Sequence, residues 1–294
     1  MAVATIIGGA GRMGDWFARF LRKNDYRIVI SDKNKRLAQS LAKKHRFKVV
    51  DDPRLAVRGS QLVILATPIE DTATLLKELE PQLSPTCLLV EISSIKEPLR
   101  ATLQSMRRRG VTVLSIHPMF GPGIRSLAGK PIIVTMLPRT KNAAYKFLSL
   151  FRREGARIIR SDFEQHDKYA SVTLALPHFM NIALVNTLRT CRLRPKQLVA
   201  MAGTTFRLQL IVAEELYQEN FCNEASILMD NKHASLMLRT FVKKNQKTLS
   251  ALSKAGKGNL LRDLHRGKIY LRNDPLFQRA SVRFNQAVEA SSLH

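Results

Sequence analysis

Gly9-Ala10-Gly11-Arg12-Met13-Gly14 follows an apolar run that ends at Ile7 and precedes a helical pattern over Asp15 to Arg22. Three glycines at that spacing, between a strand and a helix and with an acidic residue about 20 positions on, form a dinucleotide-binding turn. The glycines are expected to act differently, since Gly9 permits the tight turn, Gly11 lets the backbone approach a pyrophosphate, and Gly14 lets helix pack on strand. Arg12 and Met13, within the motif, are expected to bind the cofactor beside the helix N-terminus that attracts that pyrophosphate. Asp32, at the end of the next strand, would accept hydrogen bonds from the adenosine ribose and repel a 2′-phosphate. NAD is therefore the expected cofactor, while Lys33, Lys35 and Arg36 beside Asp32 keep NADP open. Thr67 and Pro68 end a further apolar run, where they would lie under the nicotinamide half of the cofactor.

Two more strand ends carry polar chemistry. Glu91-Ile92-Ser93-Ser94-Ile95-Lys96 supplies two hydroxyls and an ammonium group, although either serine could instead cap the following helix. His117 ends the apolar run Val111 to Ile116, and an imidazole with an ordinary pKa near 6.5 can take a proton from an alcohol as hydride leaves the same carbon. A lone strand-end histidine is more often structural, but Pro118, Gly121 and Pro122 fix the loop behind this one. Further along, His178 follows Pro177 inside a helical pattern, where a proline bends the helix and can turn the next side chain inward. Arg207 stands just after Gly203-Thr204-Thr205, a helix start, and its guanidinium could form a bidentate pair with a carboxylate. His166 and Asp167 read as helix-start or interdomain residues. The spacing holds no metal-ligand pattern.

These residues need elements to position them. Short β-branched runs, Val3 to Ile7, Arg27 to Ile30, Leu62 to Ala66, Cys87 to Ile92, Val111 to Ile116, Ile132 to Met136 and Arg157 to Ile159, alternate with helical patterns. Such alternation predicts βαβ units around a parallel sheet. Beyond residue 161 the period becomes helical, over His166 to Thr190, Phe206 to Glu219 and Ala234 to Leu252. The expected architecture is an α/β Rossmann-type parallel-sheet domain over 1–161, followed by an all-α helical domain over 162–294, with a cleft at their junction.

The chain of 294 residues is 45% apolar, enough to bury a core, so it is not a disordered polycation. Three scattered cysteines indicate neither a disulfide framework nor a zinc site and point to a reducing, cytoplasmic setting. The apolar runs fall short of a membrane span, and the start runs straight into a strand with no signal peptide, so no membrane association is expected. The net charge of +25 is uneven: residues 1–161 hold 29 basic and 12 acidic residues, and between 239 and 273 ten Lys/Arg face only Asp263. A basic nucleic-acid-binding protein on a Rossmann scaffold is the rival class. With 6% aromatic residues and no helix-turn-helix, RNA-recognition or zinc signature, no specific nucleic acid is expected as a partner.

The chain resembles the prephenate and arogenate dehydrogenases of tyrosine biosynthesis. The resemblance rests on Gly9 to Gly14, Ser94-Ile95-Lys96, His117 to Pro122 with Ser126-Leu127-Ala128, Glu164 to Asp167, Leu176 to Phe179 and Phe206-Arg207-Leu208, in the family's order over essentially the whole chain. It implies that His117 is the catalytic histidine accepting the proton of the substrate's ring hydroxyl, and that Ser94 orients His117 and contacts the cofactor. It further implies that Arg207 binds a substrate carboxylate, that His178 lines the pocket, and that the helical domain forms a homodimer. The expected reaction is NAD-dependent oxidative decarboxylation of prephenate, with arogenate as the alternative substrate.

Overall fold

The computed structural model describes residues 1–254 and 256–291. By contacts the chain divides into two units: Met1–Ser171 with Ala225–Lys232, and Val172–Glu224 with the chain from His233 on. This division by contacts falls after Ser171, ten residues past the expected boundary at 161, and the first unit also takes in a later segment. The reason is local: His166, Asp167 and Ala170 are buried, and the Asn231 side chain donates to the Asp167 carbonyl at 2.9 Å.

Among the described residues the first unit is built on an eight-stranded sheet: β1 (Val3–Ile7), β2 (Arg27–Ser31), β3 (Lys48–Val49), β4 (Leu62–Leu65), β5 (Leu88–Glu91), β6 (Val113–Pro118), β7 (Pro131–Met136) and β8 (Arg157–Arg160). Its order is β3-β2-β1-β4-β5-β6-β7-β8. The helices of this unit are α1 (Arg12–Lys23), α2 (Lys35–His45), α3 (Pro53–Ala56), α4 (Ile69–Leu79), α5 (Arg100–Arg108), α6 (Asn142–Arg153) and α7 (Phe163–Ala170). The expected strands all form. Two features differ from the expectation: β3 is an added two-residue edge strand, and β7 runs antiparallel to β6. The connection from β6 to β7 is rich in proline and glycine and holds no helix, so it makes no crossover and the chain simply turns back.

The central strands are buried along their whole length because helices cover both faces of such sheets, which is why they read as unbroken apolar runs. On one face, Trp16 and Phe20 of α1 stack with ring centroids 5.1 Å apart, and Phe20 stacks on Phe151 of α6 at 4.6 Å. This aromatic cluster fixes α1, and with it the glycine turn, against the sheet.

The second unit is helical: α8 (Leu176–Thr190), α9 (Pro195–Met201), α10 (Thr204–Leu216), the start of α11 (Phe221–Met229), whose residues from Ala225 on belong to the first unit, α12 (Lys232–Lys254) from His233 on, α13 (Gly256–Leu271) and α14 (Ala280–Ser291). Within it α10 packs on α8, and Phe179 meets Phe241 edge to face at 6.2 Å. The disruption expected at Pro177 takes the form of a π-turn over Ser171–Ala175, which absorbs the missing N–H and the ring's clash with the preceding turn. One expectation is corrected here. The helical run Phe163–Thr190 is long and apolar enough, by length and composition, to cross a membrane, and only 17% of its most apolar window is buried. No Asp, Glu, Lys or Arg stands between Lys168 and Arg189, a property that a search for uninterrupted apolar runs passes over.

Candidate active site

The glycine turn leaves the carboxyl end of β1 and enters α1. The positive φ of the turn falls on Gly8, at +78°, and not on Gly9, the residue expected to permit it. A Cβ on Gly8 would lie 2.3 Å from the Ala66 carbonyl oxygen, and one on Gly14 would lie 2.0 Å from the Gly8 carbonyl oxygen. Gly9 lies against the Ile30 side chain of β2. Gly11 is the N-cap of α1 and offers no capping side chain, so the first N–H groups of the helix, at Arg12, Met13 and Gly14, face outward for an anion. Asp32 sits at the end of β2, where its Oδ2 accepts from the Ala10 amide at 2.9 Å and its Oδ1 from the Asn34 amide at 2.8 Å. Thr67 and Pro68 form the next loop along the same edge. Thr67 Oγ1 pairs with Thr72 Oγ1 at 2.9 Å, and Pro68 opens α4. An uncapped helix N-terminus, a turn without side chains and a fixed carboxylate fit a dinucleotide.

Three strands over, roughly 14 Å at about 4.8 Å per strand, His117 ends β6 on the same carboxyl edge. The ring is buried, at 6% exposure, and a register shift between Ser115 and Ile116 re-aims the strand just before it. His117 Nδ1 lies 2.9 Å from His166 Nε2, and His166 Nδ1 lies 2.7 Å from Asp167 Oδ1. Hydrogen-bond logic assigns the protons when both rings are neutral. The Asp167 carboxylate only accepts, so His166 Nδ1 carries its proton and His166 Nε2 presents a lone pair. His117 Nδ1 must then donate, which leaves His117 Nε2 as a bare proton acceptor. Burial, then the neighbouring His166 and Lys96, hold the His117 pKa well below the usual imidazole value. The ring is thus neutral at neutral pH.

Asp167 also organises the β5 loop. Its Oδ1 accepts from the Lys96 amide at 2.9 Å and its Oδ2 from the Glu97 amide at 2.8 Å. Ser93 and Ser94 cap no helix: Asp167, seventy residues away in sequence, caps this turn. The Lys96 side chain is fully buried, donating from Nζ to Glu91 Oε1 at 2.8 Å and to the Ile116 carbonyl at 2.6 Å. Burial lowers the Lys96 pKa against the opposing pull of Glu91. Glu91 takes two further donors, the Ser115 hydroxyl and the Ser93 amide. The lysine's charge is therefore balanced in place by Glu91, and its ammonium pins the residue before His117. The orienting partner of His117 is His166 and not Ser94, whose half-buried hydroxyl makes no hydrogen bond among the described residues.

His178 and Arg207 belong to the second unit. His178 lies in α8 with Nδ1 against Glu224 Oε2 of α11, an acidic partner that sequence reading missed. Arg207 is exposed in the first turn of α10, where one guanidinium nitrogen donates to the Val199 carbonyl at 3.2 Å. Next to them the buried Asn181 accepts from Gln209 at 2.8 Å.

A sheet whose order reverses at β1, a glycine turn into α1 and a carboxylate ending β2 define the dinucleotide-binding class of α/β proteins. Within that class, the chain belongs to the prephenate dehydrogenase family: the family's nucleotide-binding domain matches residues 17–160, and its dimerization domain matches residues 162–266. A probable arogenate/prephenate dehydrogenase of Methanocaldococcus jannaschii is 29% identical over 240 residues, which cover 81% of this chain and 54% of that protein. A T-protein of Enterobacter agglomerans is 28% identical over 264 residues, covering 89% of this chain and 65% of that protein. The chain thus spans between about half and two thirds of the length of these relatives. The crystal structure of prephenate dehydrogenase from A. aeolicus, in complex with hydroxyphenyl propionate and NAD+, shares the fold with a TM-score of 0.73 at 20% identity, covering 93% of this chain and 98% of that one.

Proposed function

We propose that the protein oxidatively decarboxylates prephenate to 4-hydroxyphenylpyruvate in tyrosine biosynthesis, with NAD as the cofactor. The observation that carries this reading is the bare Nε2 of a neutral, buried His117, held through His166 by Asp167 on the same sheet edge as the dinucleotide turn. Bound there, the nicotinamide supplies the hydride acceptor for C4 of the substrate ring. His117 Nε2 takes the proton of the C4 hydroxyl, and the resulting imidazolium is stabilised through Nδ1–H, His166 and the Asp167 carboxylate. Loss of the C1 carboxylate as CO2 aromatises the ring and makes the reaction effectively irreversible. Ser94 contacts the cofactor, Arg207 pairs with a substrate carboxylate, and His178, set by Glu224, lines the pocket.

Prephenate is preferred to arogenate because the buried carboxylates around His117 are already engaged. Glu91 and Asp167 each take three protein donors, so neither is left for the ammonium group that distinguishes arogenate. NAD is preferred to NADP because of Asp32. Lys33 and Lys35 are held in exposed ion pairs with Asp71 and Asp51, worth at most about 1 kcal/mol each, so they decide little. The sparsely buried Phe163–Thr190 run falls inside the matched dimerization domain, which supports a homodimer covering that face.

The deciding experiment is a paired assay of NAD and NADP reduction with prephenate and with arogenate. Turnover of prephenate with NAD, lost in His117→Asn while NAD still binds, supports the reading. Reduction with arogenate alone, or with neither substrate, overturns it.

A further inference from the structure

The excess positive charge has one concentrated expression that the dehydrogenase site does not use. Arg19, Arg22, Lys23, Lys44, His45, Arg46 and Phe47 line a cavity of about 780 Å³ in the first unit. It lies between the C-terminal ends of α1 and α2. In βαβ units the helices run back to the amino edge of the sheet, so this cavity is on the edge opposite the glycine turn, roughly 18 Å away along the twelve residues of α1 at about 1.5 Å per residue.

Cations in the last turn of a helix complement its dipole, and that accounts for Lys23 and Lys44 taken singly. It does not account for Arg19, a turn earlier, or for Arg46, which ends α2 in the left-handed region at φ 55° and joins the same wall. One wall is built rigidly: Arg22 donates to the His45 carbonyl and lies over the Phe47 ring at 5.9 Å, and the His45 ring stacks on Phe47 at 5.3 Å. The acidic group at this wall is Asp15, whose Oδ2 pairs with Arg19 at 2.9 Å and whose Oδ1 stands 3.9 Å from His45 Nε2. Lys23, Lys44 and Arg46 have no carboxylate partner among the described residues. Five cations against one carboxylate repel one another in a shared concavity, and a bound anion would relieve that repulsion. A single phosphate group is too small and too weakly charged to meet them all.

We propose that this basic cavity between the ends of α1 and α2 binds a compact anion with several adjacent phosphate groups. Its volume falls within the range of small-ligand sites. Long flexible lysines around one rigid arginine wall suit a chain of phosphates rather than a planar carboxylate. The proposal is independent of the dehydrogenase reading, since it involves none of the same residues.

Isothermal titration with inorganic tripolyphosphate, at low and at physiological salt and with and without NAD, tests it. Lys23→Glu/Lys44→Glu reverses two exposed charges that make no ion pair; Arg107→Glu/Arg108→Glu makes the same change in net charge on α5. Binding is expected to weaken by at least about tenfold in the first variant, to stay at the wild-type value in the second, and to be indifferent to NAD. Equal weakening in both variants would reduce the effect to net charge. Displacement by NAD would place the probe at the glycine turn, and a single-stranded oligonucleotide that outbinds tripolyphosphate would mean an extended basic surface. Each of these three results, or wild-type binding in the first variant, overturns the proposal.

Discussion

His117 Nδ1 and His166 Nε2 lie 2.9 Å apart although 49 residues separate them in the chain. The contact decides which nitrogen of His117 can react. Because His166 is tied to Asp167, and Asp167 to the backbone of the Lys96 turn, three segments of the first unit converge to present Nε2 of one ring. On the proposed mechanism His166 is thus a positioning residue, acting through His117.

The chain of contacts predicts distinct outcomes for its two rings. His117→Asn removes the proton acceptor and should lower kcat by about 10²- to 10⁴-fold while NAD binding stays unchanged. His166→Asn keeps the acceptor but removes the neutral ring that takes the His117 Nδ1–H bond and links it to Asp167, so kcat should fall by less than in His117→Asn. The acid limb of the pH profile, expected below about 6.5 in the wild type, should stay below that value, because burial, the largest cause of the depressed pKa, is unchanged. A full pH–rate profile of both variants checks this. A limb that rises to about 6.5 in His166→Asn would mean that His166 acts as a cation and would count against the assigned tautomers.

The same depressed pKa links stability to pH. An unfolded chain protonates His117 near pH 6.5, whereas the folded protein resists doing so. The unfolded state therefore binds more protons below that pH, and folding loses stability as pH falls from about 6.5 toward the folded value. Denaturant melts across that range should show the loss, and His117→Asn should flatten the curve.

How much of this was legible in the sequence depended on how local the signal was. The strand–glycine–helix pattern puts Gly9 and Gly11 in the turn after β1, Gly14 in α1 and Asp32 at the end of β2, because turn, helix start and strand end all fall within a few dozen residues. Gly8 escaped, since the pattern begins one residue later, yet the backbone strain sits there. Lys96, Glu91 and Asp167 could not be joined by spacing, because Asp167 reaches the Lys96 turn across 71 residues and only the packing of α7 against β7 and the turn at Glu97–Leu99 brings them together. The reversal of β7 left a trace in retrospect. The stretch from Met119 to Lys130 has one proline and three glycines but no helical period, and without a crossover helix the next strand returns antiparallel.

The buried pair makes a prediction about stability. Lys96→Met leaves the Glu91 carboxylate buried without its counter-charge, and Glu91→Leu leaves the ammonium so; each should cost about 3–5 kcal/mol. The double variant Glu91→Leu/Lys96→Met removes both charges and should be more stable than either single one. Because the Lys96 ammonium also holds the Ile116 carbonyl, the double variant should still turn over poorly. Urea melts and kcat measured together separate the two effects.

Cofactor choice rests on one carboxylate. Asp32→Asn removes the charge that repels a 2′-phosphate, and the ratio of kcat/KM for NAD over NADP should fall by at least about tenfold, or 1.4 kcal/mol. Part of that change should be weaker use of NAD, because the amide can replace only one of the two acceptor oxygens that hold the Ala10 and Asn34 amides. Steady-state kinetics with both cofactors measure it.

Two glycine substitutions should separate a packing requirement from an open position. A Cβ at Gly14 would meet the Gly8 carbonyl oxygen at 2.0 Å, and that oxygen is backbone held in the turn, so α1 must shift away from β1. Such a shift moves the uncapped N-terminus of α1 and also disturbs the stacking of Trp16 and Phe20 on Phe151. Gly14→Ala should therefore lose stability by at least about 1–3 kcal/mol, the usual cost of overpacking, and lose NAD binding with it. Gly121, in the loop behind His117, has nothing within 4 Å of an added Cβ and no left-handed backbone. Gly121→Ala should leave the melting temperature and NAD binding at wild-type values, as thermal melts with and without NAD would register. A Gly14→Ala protein that binds NAD normally would mean that the turn and helix can separate, and the close contact between Gly14 and Gly8 would not be what holds the dinucleotide site.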